Sequence, residues 1–286
     1  MSRKKVLPQE AEDFLNSLVG RSRSTKKLNR RVVAHLFGFM QKDIRTLELA
    51  GLQKFLMHLE EEHSYKKNTL RTYVIILRNF LRFHKRGDLS VKIKAIKSPK
   101  TLPIVPTSKE VDQMVEEAGT LREKIIIQFL ARTGLRVGEL CNLDLQDIDL
   151  PNLRLIVRKH RLWEPKNAKE RVVRMDAATA SLIREYISSR QEGRLIDITT
   201  STVRMIVKNV AKRAGVRNAD KIAPHKLRHF FACDFIQRGG DVRSLQVLLG
   251  HSELSTTQIY LNYSFDVVSQ AYDKVYGNDK MIPGNS

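Results

Sequence analysis

A chain of 286 residues has room for one large domain or two ordinary ones with a real core, and 42% hydrophobic with 29% charged residues describes a folded, soluble protein. No apolar run approaches the ~20 residues of a membrane span, and the basic start Met1-Ser2-Arg3-Lys4-Lys5 leads into Pro8-Gln9-Glu10, not a signal core. The expectation is a cytoplasmic protein with no membrane partner.

A net charge of +20, from 51 Lys+Arg against 31 Asp+Glu, suits the phosphate backbone of a nucleic acid. Residues 1–100 hold 23 basic and 9 acidic residues (net +14), and residues 101–286 hold 28 and 22 (net +6). Cys141 and Cys233 stand alone, outside any CxxC or Cys/His cluster, and read as reduced, buried small hydrophobes. No metal site is expected.

The first hundred residues read as all helix. Apolar stripes at helical spacing run over Gln9–Val19, Leu28–Met40 and Leu47–Leu59. Asn68–His84 carries Leu70, Tyr73, Val74, Leu77, Phe80 and Leu81 on one face, with Arg71, Arg78 and Arg82 at another angle. With Lys66 and Lys67 just ahead of it, this helix supplies candidate DNA-contacting residues: Lys66, Lys67, Arg71 and Arg78. The stretch Ser98–Thr107, SPKTLPIVPT, has three prolines and no helical period, so a linker is placed at 98–106 between domains 1–97 and 107–286.

The second part is mixed. Helices are expected at Leu121–Arg132, Val137–Leu143, Ala177–Arg190, Thr200–Ala214, Pro224–Arg238, Asp241–Leu249 and from Ser255 onward. The β-branched runs Leu153–Val157 and Arg171–Met175 read as strands, joined by a long basic hairpin tip over 158–170. Four pieces of this part stand out by order and spacing. They are Thr133-Gly134-Leu135-Arg136-Val137-Gly138-Glu139-Leu140; Pro165-Lys166-Asn167-Ala168-Lys169-Glu170-Arg171; His225-Lys226-Leu227-Arg228-His229; and Leu249-Gly250-His251-Ser252 with Thr256-Thr257-Gln258-Ile259-Tyr260.

Those boxes resemble the tyrosine recombinase/integrase family, and within it the Xer-like branch. The resemblance covers most of the chain. It implies a mainly α, two-lobed fold with a small antiparallel sheet: an N-terminal helical core-binding domain and an α+β catalytic domain. It implies site-specific cleavage and rejoining of double-stranded DNA through a 3′-phosphotyrosine, with no cofactor and no metal. No Walker loop, acidic trio or HExxH contradicts that.

The same resemblance implies roles. Tyr260 is the nucleophile, with Tyr263 three residues on as its rival. Arg136 and Arg228 clamp the phosphate and His251 is a third donor. Attack on a phosphodiester builds charge on the non-bridging oxygens, which a planar guanidinium fork addresses in pairs. His225 assists as general acid/base, His229 supports it one turn on, and Glu139 is either an acidic buttress for Arg136 or an exposed helix carboxylate. Lys166 fits the hairpin general acid of a GKGxKxR-type turn, but Pro165 and Asn167 replace its glycines and the hairpin is long. Lys169 therefore stays open for that role and as a DNA contact.

The segment Phe265–Tyr272 reads as an amphipathic tail helix. The resemblance implies that it docks on a neighbouring protomer in a homo-tetramer on two DNA sites, the alternative being a helix packed on its own domain. The expected biology is resolution of chromosome or plasmid dimers, and so chromosome partition at cell division. The alternatives are an integrase of a mobile element, a type IB topoisomerase-like enzyme and a non-catalytic DNA-binding protein.

Overall fold

The structure, a computed structural model of the chain, describes residues 7–40, 43–97, 104–159, 170–188 and 190–250. It divides into two compact units, residues 1–101 and 102–286. Among the described residues, no helix is long and apolar enough to cross a membrane.

The first unit is helical: α1 (Gln9–Ser17), α2 (Arg23–Met40), α3 (Leu49–Glu61), α4 (Lys67–Phe83) and the short α5 (Gly87–Lys92). Helix α4 is the core element. Leu70, Tyr73, Val74, Leu77, Phe80 and Leu81, the six residues of its apolar stripe, are all buried, each contributing roughly 1.5–3 kcal/mol of hydrophobic stabilisation. Phe14 of α1 meets Phe80 edge-on at 5.2 Å, while Val32, Val33 and Leu36 of α2 and Leu52, Phe55 and Leu59 of α3 complete the cluster.

Two details differ from the sequence reading. The first stripe does not reach Val19: α1 ends at Ser17, Leu18 caps it, and Val19 is 82% exposed before Gly20 at φ +78°. Helix α5, too short to show a period, is clipped to α4 by Arg78 Nε donating to the Ser90 carbonyl (2.9 Å) and Ser90 Oγ donating to the Arg78 carbonyl (3.2 Å). Arg86 then threads its guanidinium among three carbonyls, those of Ile44, Arg45 and Leu47, at 2.9–3.1 Å.

The second unit begins with α6 (Ser108–Glu116), a helix that the sequence reading did not name. A capping box starts it: Thr107 Oγ1 accepts from the Glu110 N–H while Glu110 accepts from the Thr107 N–H. Next come α7 (Leu121–Thr133), α8 (Val137–Cys141), strands β1 (Ile148–Asp149), β2 (Arg154–Val157) and β3 (Arg171–Arg174), and helices α9 (Ala177–Ile187), α10 (Thr200–Arg213), α11 (Pro224–Gln237) and α12 (Val242–Leu249). The sheet is antiparallel in the order β1-β2-β3, with Leu155 opposite Val173 and Val157 opposite Arg171. Its inner face, Leu155, Val157 and Val173, packs into a core shared with Ile126, Phe129, Leu130, Ile183, Val207 and Leu227.

The sequence reading missed β1, whose two residues carry no pattern. Expected helix ends at Leu143 and Arg190 retreat to Cys141 and Ile187. Helix α11 is buried on most sides, with Leu227, Arg228, Phe230, Ala232, Cys233 and Ile236 all withdrawn from water, and it packs on α7. That central pair positions the site. Neither cysteine forms a disulfide, both are buried, and burial raises the Cys233 thiol to about 11.

Candidate active site

The site starts at the C-terminal end of α7. Gly134 ends that helix at φ +62°, a conformation that favours glycine. A Cβ there would also lie 2.3 Å from Phe231 Cδ1, so a larger residue fits only if the Phe231 ring shifts. The turn places Arg136 at the N-cap of α8, where its own N–H donates to Glu139 Oε2 (2.7 Å) and its Nη1 to Glu139 Oε1 (3.0 Å).

Glu139 is a buried carboxylate, its side chain 1% exposed, and three guanidiniums surround it. Besides Arg136, Arg171 at the start of β3 donates Nη1 to Oε1 (3.0 Å) and Nη2 to Oε2 (2.7 Å), a bidentate pair. Arg228 of α11 comes within 3.9 Å through Nη1. Burial alone would raise the Glu139 carboxyl. The hydrogen bonds and charge of Arg171, then those of Arg136, outweigh it and hold the group below the usual carboxylate range. Glu139 is therefore buried and ion-paired, not an exposed helix carboxylate.

Arg228 is itself 1% exposed. Its Nη1 donates to the Gly134 carbonyl (2.6 Å) and its Nη2 to the Leu249 carbonyl (2.7 Å). Neutral acceptors hold a guanidinium without cancelling its charge. The four side chains of this hub therefore carry three positive charges and one negative. Arg228 also joins the ends of α7 and α12, two residues before Arg136 and two before His251.

His225 lies in the first turn of α11, which Pro224 opens as a residue whose missing N–H has no helical partner to lose. It is exposed, and His229 one turn on meets it edge-to-face at 4.4 Å. Lys226 between them is half-buried, and desolvation lowers its ammonium.

Lys166, Lys169, His251, Tyr260, Tyr263 and the 265–272 tail segment lie outside the described residues. Of the candidate DNA contacts, Lys66 and Lys67 are exposed at the start of α4 and Arg71 is exposed a turn later. Arg78 is half-buried, and its Nε donates to the Ser90 carbonyl within the unit. The sequence reading passed over Arg171. Its signal was present, as the last residue of the hairpin box, but nothing in the spacing pointed to a carboxylate 32 residues upstream.

Three arginines thus converge on one buried carboxylate between helix ends, in a mainly helical unit with a small sheet. Residues 105–266 match the phage integrase family, and the chain belongs to it as a tyrosine-type site-specific DNA recombinase.

Within the family it is similar to the tyrosine recombinase XerA of Thermococcus kodakarensis, at 34% identity over 242 residues, 80% of this chain and 82% of that one. Among solved structures, a XerA recombinase crystal structure aligns at 26% identity and a TM-score of 0.53, covering 93% and 98% of the two chains. The Tn1549 transposon integrase in complex with transposon right end DNA aligns at 17% identity and a TM-score of 0.75, covering 94% and 98%, a likeness of fold.

Proposed function

We propose that the chain cuts and reseals duplex DNA with Tyr260 as nucleophile, in the manner of a Xer recombinase resolving chromosome or plasmid dimers. One observation carries the reading: Arg136 and Arg228, 92 residues apart, converge on one buried carboxylate with charge to spare. A pentacoordinate phosphorane gains negative charge relative to the phosphodiester. Fixed cationic donors therefore favour the transition state over the ground state.

In the proposed step the Tyr260 phenol oxygen attacks phosphorus and the bond to the 5′-oxygen breaks. The products are a 3′-phosphotyrosine and a 5′-hydroxyl. Tyr260 gives its proton to a base, with His225 in that role. The leaving oxygen takes one from a hairpin lysine, Lys166 or Lys169. His251 joins the two arginines at the phosphate. The phosphotyrosine conserves the bond energy, so the 5′-hydroxyl of a partner strand reseals the break without ATP.

In this reading residues 1–97 are the core-binding domain, with Lys66, Lys67 and Arg71 exposed to meet phosphates. Residues 98–106 are the linker and residues 107–286 the catalytic domain. The tail helix joins four copies on two target sites, in the cytoplasm.

The test uses a pool of nicked duplexes with a randomised core. The native chain should leave an SDS-resistant adduct on a 3′-phosphate of selected duplexes, and Tyr260→Phe should leave none. An adduct formed by Tyr260→Phe at the native rate sinks the nucleophile assignment and moves it to Tyr263.

A further inference from the structure

One guanidinium of the hub has no part in the proposed reaction. Arg171 opens a surface strand, yet its side chain turns inward and is 7% exposed. All three of its donor nitrogens are engaged: Nη1 and Nη2 on the two Glu139 oxygens, and Nε on the Leu248 carbonyl at 2.9 Å. Gly250 makes room for it. A Cβ there would lie 3.1–3.3 Å from Arg171 Cδ, Nη1 and Nε, and the residue holds φ +63°.

Charge and geometry say what this arrangement does. A buried carboxylate facing one guanidinium draws it into a bidentate pair, the strongest geometry open to the two groups. Arg171 already holds Glu139 in that way. Arg136 is left with its main-chain N–H and a single Nη1 on the carboxylate. Its Nε and Nη2 have no hydrogen-bond partner among the described residues.

We infer that Arg171 is a positioning residue for strand cleavage: by saturating Glu139 it stops Arg136 from collapsing onto the carboxylate and keeps the Nε–Nη2 edge of Arg136 for a phosphate. The inference rests on the reading of Arg136 as a phosphate ligand. Arg171 itself touches no reacting atom. Because it is the first residue of β3, it also ties the geometry of the arginine clamp to the strand that leaves the hairpin.

The test uses the full chain and a nicked duplex selected as above, with single-turnover adduct formation at saturating DNA and binding measured separately. Arg136→Ala should lose at least ~100-fold in cleavage. If it does not, the reading of Arg136 fails whatever Arg171 does. With that loss in hand, Arg171→Ala should slow cleavage about 100-fold while leaving the Kd for DNA within about threefold. Arg171→Lys keeps the charge without the fork and should fall between, about tenfold down.

The deciding variant is Arg171→Ala with Glu139→Gln, which removes the charge that would capture Arg136. It should cleave at least about tenfold faster than Arg171→Ala alone. Cleavage no faster than in the single variant, or native-rate cleavage by Arg171→Ala, overturns the inference. If Arg171→Ala does not fold, the same recovery is required of Arg171→Lys with Glu139→Gln over Arg171→Lys.

Discussion

The second unit holds two arginine–carboxylate clusters of opposite make-up. Around Glu139, three guanidiniums share one carboxylate that is 1% exposed, and contacts of 2.7–3.0 Å bind Arg136 and Arg171 to it. Around Arg132, three aspartates share one guanidinium at longer range: Asp112 of α6 at 3.7 Å, Asp176 ahead of α9 at 3.8 Å and Asp234 of α11 at 3.4 Å. Solvent reaches this second cluster, with Arg132 27% and Asp112 61% exposed. Surplus buried charge is costly to hold, and stability alone gives no reason to keep it. A loose, wet cluster costs little and needs no such reason. The contrast separates a site from a surface.

The largest expected effect comes from breaking the first cluster at its centre. Glu139→Ala leaves three guanidiniums facing one another without their shared counter-charge, and removing one member of a buried ion pair costs about 3–5 kcal/mol. For a unit of this size that is a fall of about 10 °C in Tm, read by differential scanning calorimetry. A fall within about 2 °C would mean that Glu139 does not hold the hub together.

Acid gives a finer cut of the same cluster. The Glu139 carboxyl is held below its ordinary value of 4.5. A depressed carboxylate contributes stability that is complete above the unfolded-state pKa and is lost as pH falls through the folded value. The gap in Tm between the native chain and Glu139→Gln should therefore be constant near neutrality and shrink as pH drops below about 4.5. A gap that widened on acidification would reverse the assigned sign.

How much of this was legible beforehand follows from the kind of signal each part leaves. Helix α4 buries one face, so the six residues of its apolar stripe announce both the element and its inner side. Helix α11 is buried nearly all round, and what identified it was the HKLRH box and not a stripe. Helix α6 went unread although Thr107 and Glu110 spell out its capping box, because its two buried apolar residues, Val111 and Met114, make too short a stripe to announce a helix. Arg136 and Arg228 could be picked from sequence because family boxes mark them. Arg171 could not, since its meaning lies in a carboxylate on another element and in the space left by Gly250, and both exist only after folding. Distance through the chain hides that sort of partnership.

The smallest expected effect falls on the second cluster and completes the contrast. Arg132→Ala removes the shared cation, yet no aspartate is stranded. Asp176 still caps α9 by accepting from the Thr179 N–H at 2.7 Å. Asp234 keeps Arg238, whose Nε donates to it at 2.8 Å. Asp112 is mostly in water. The loss of stability should stay near or below about 1 kcal/mol and shrink further as salt rises, because exposed pairs are screened. Adduct formation should be unchanged, since Arg132 donates to none of the hub residues. If instead Arg132→Ala cost more than about 2 kcal/mol, or abolished cleavage, exposure would be a poor guide to which arginines matter here. The line drawn between the two clusters would then have to be redrawn around α7 as a whole.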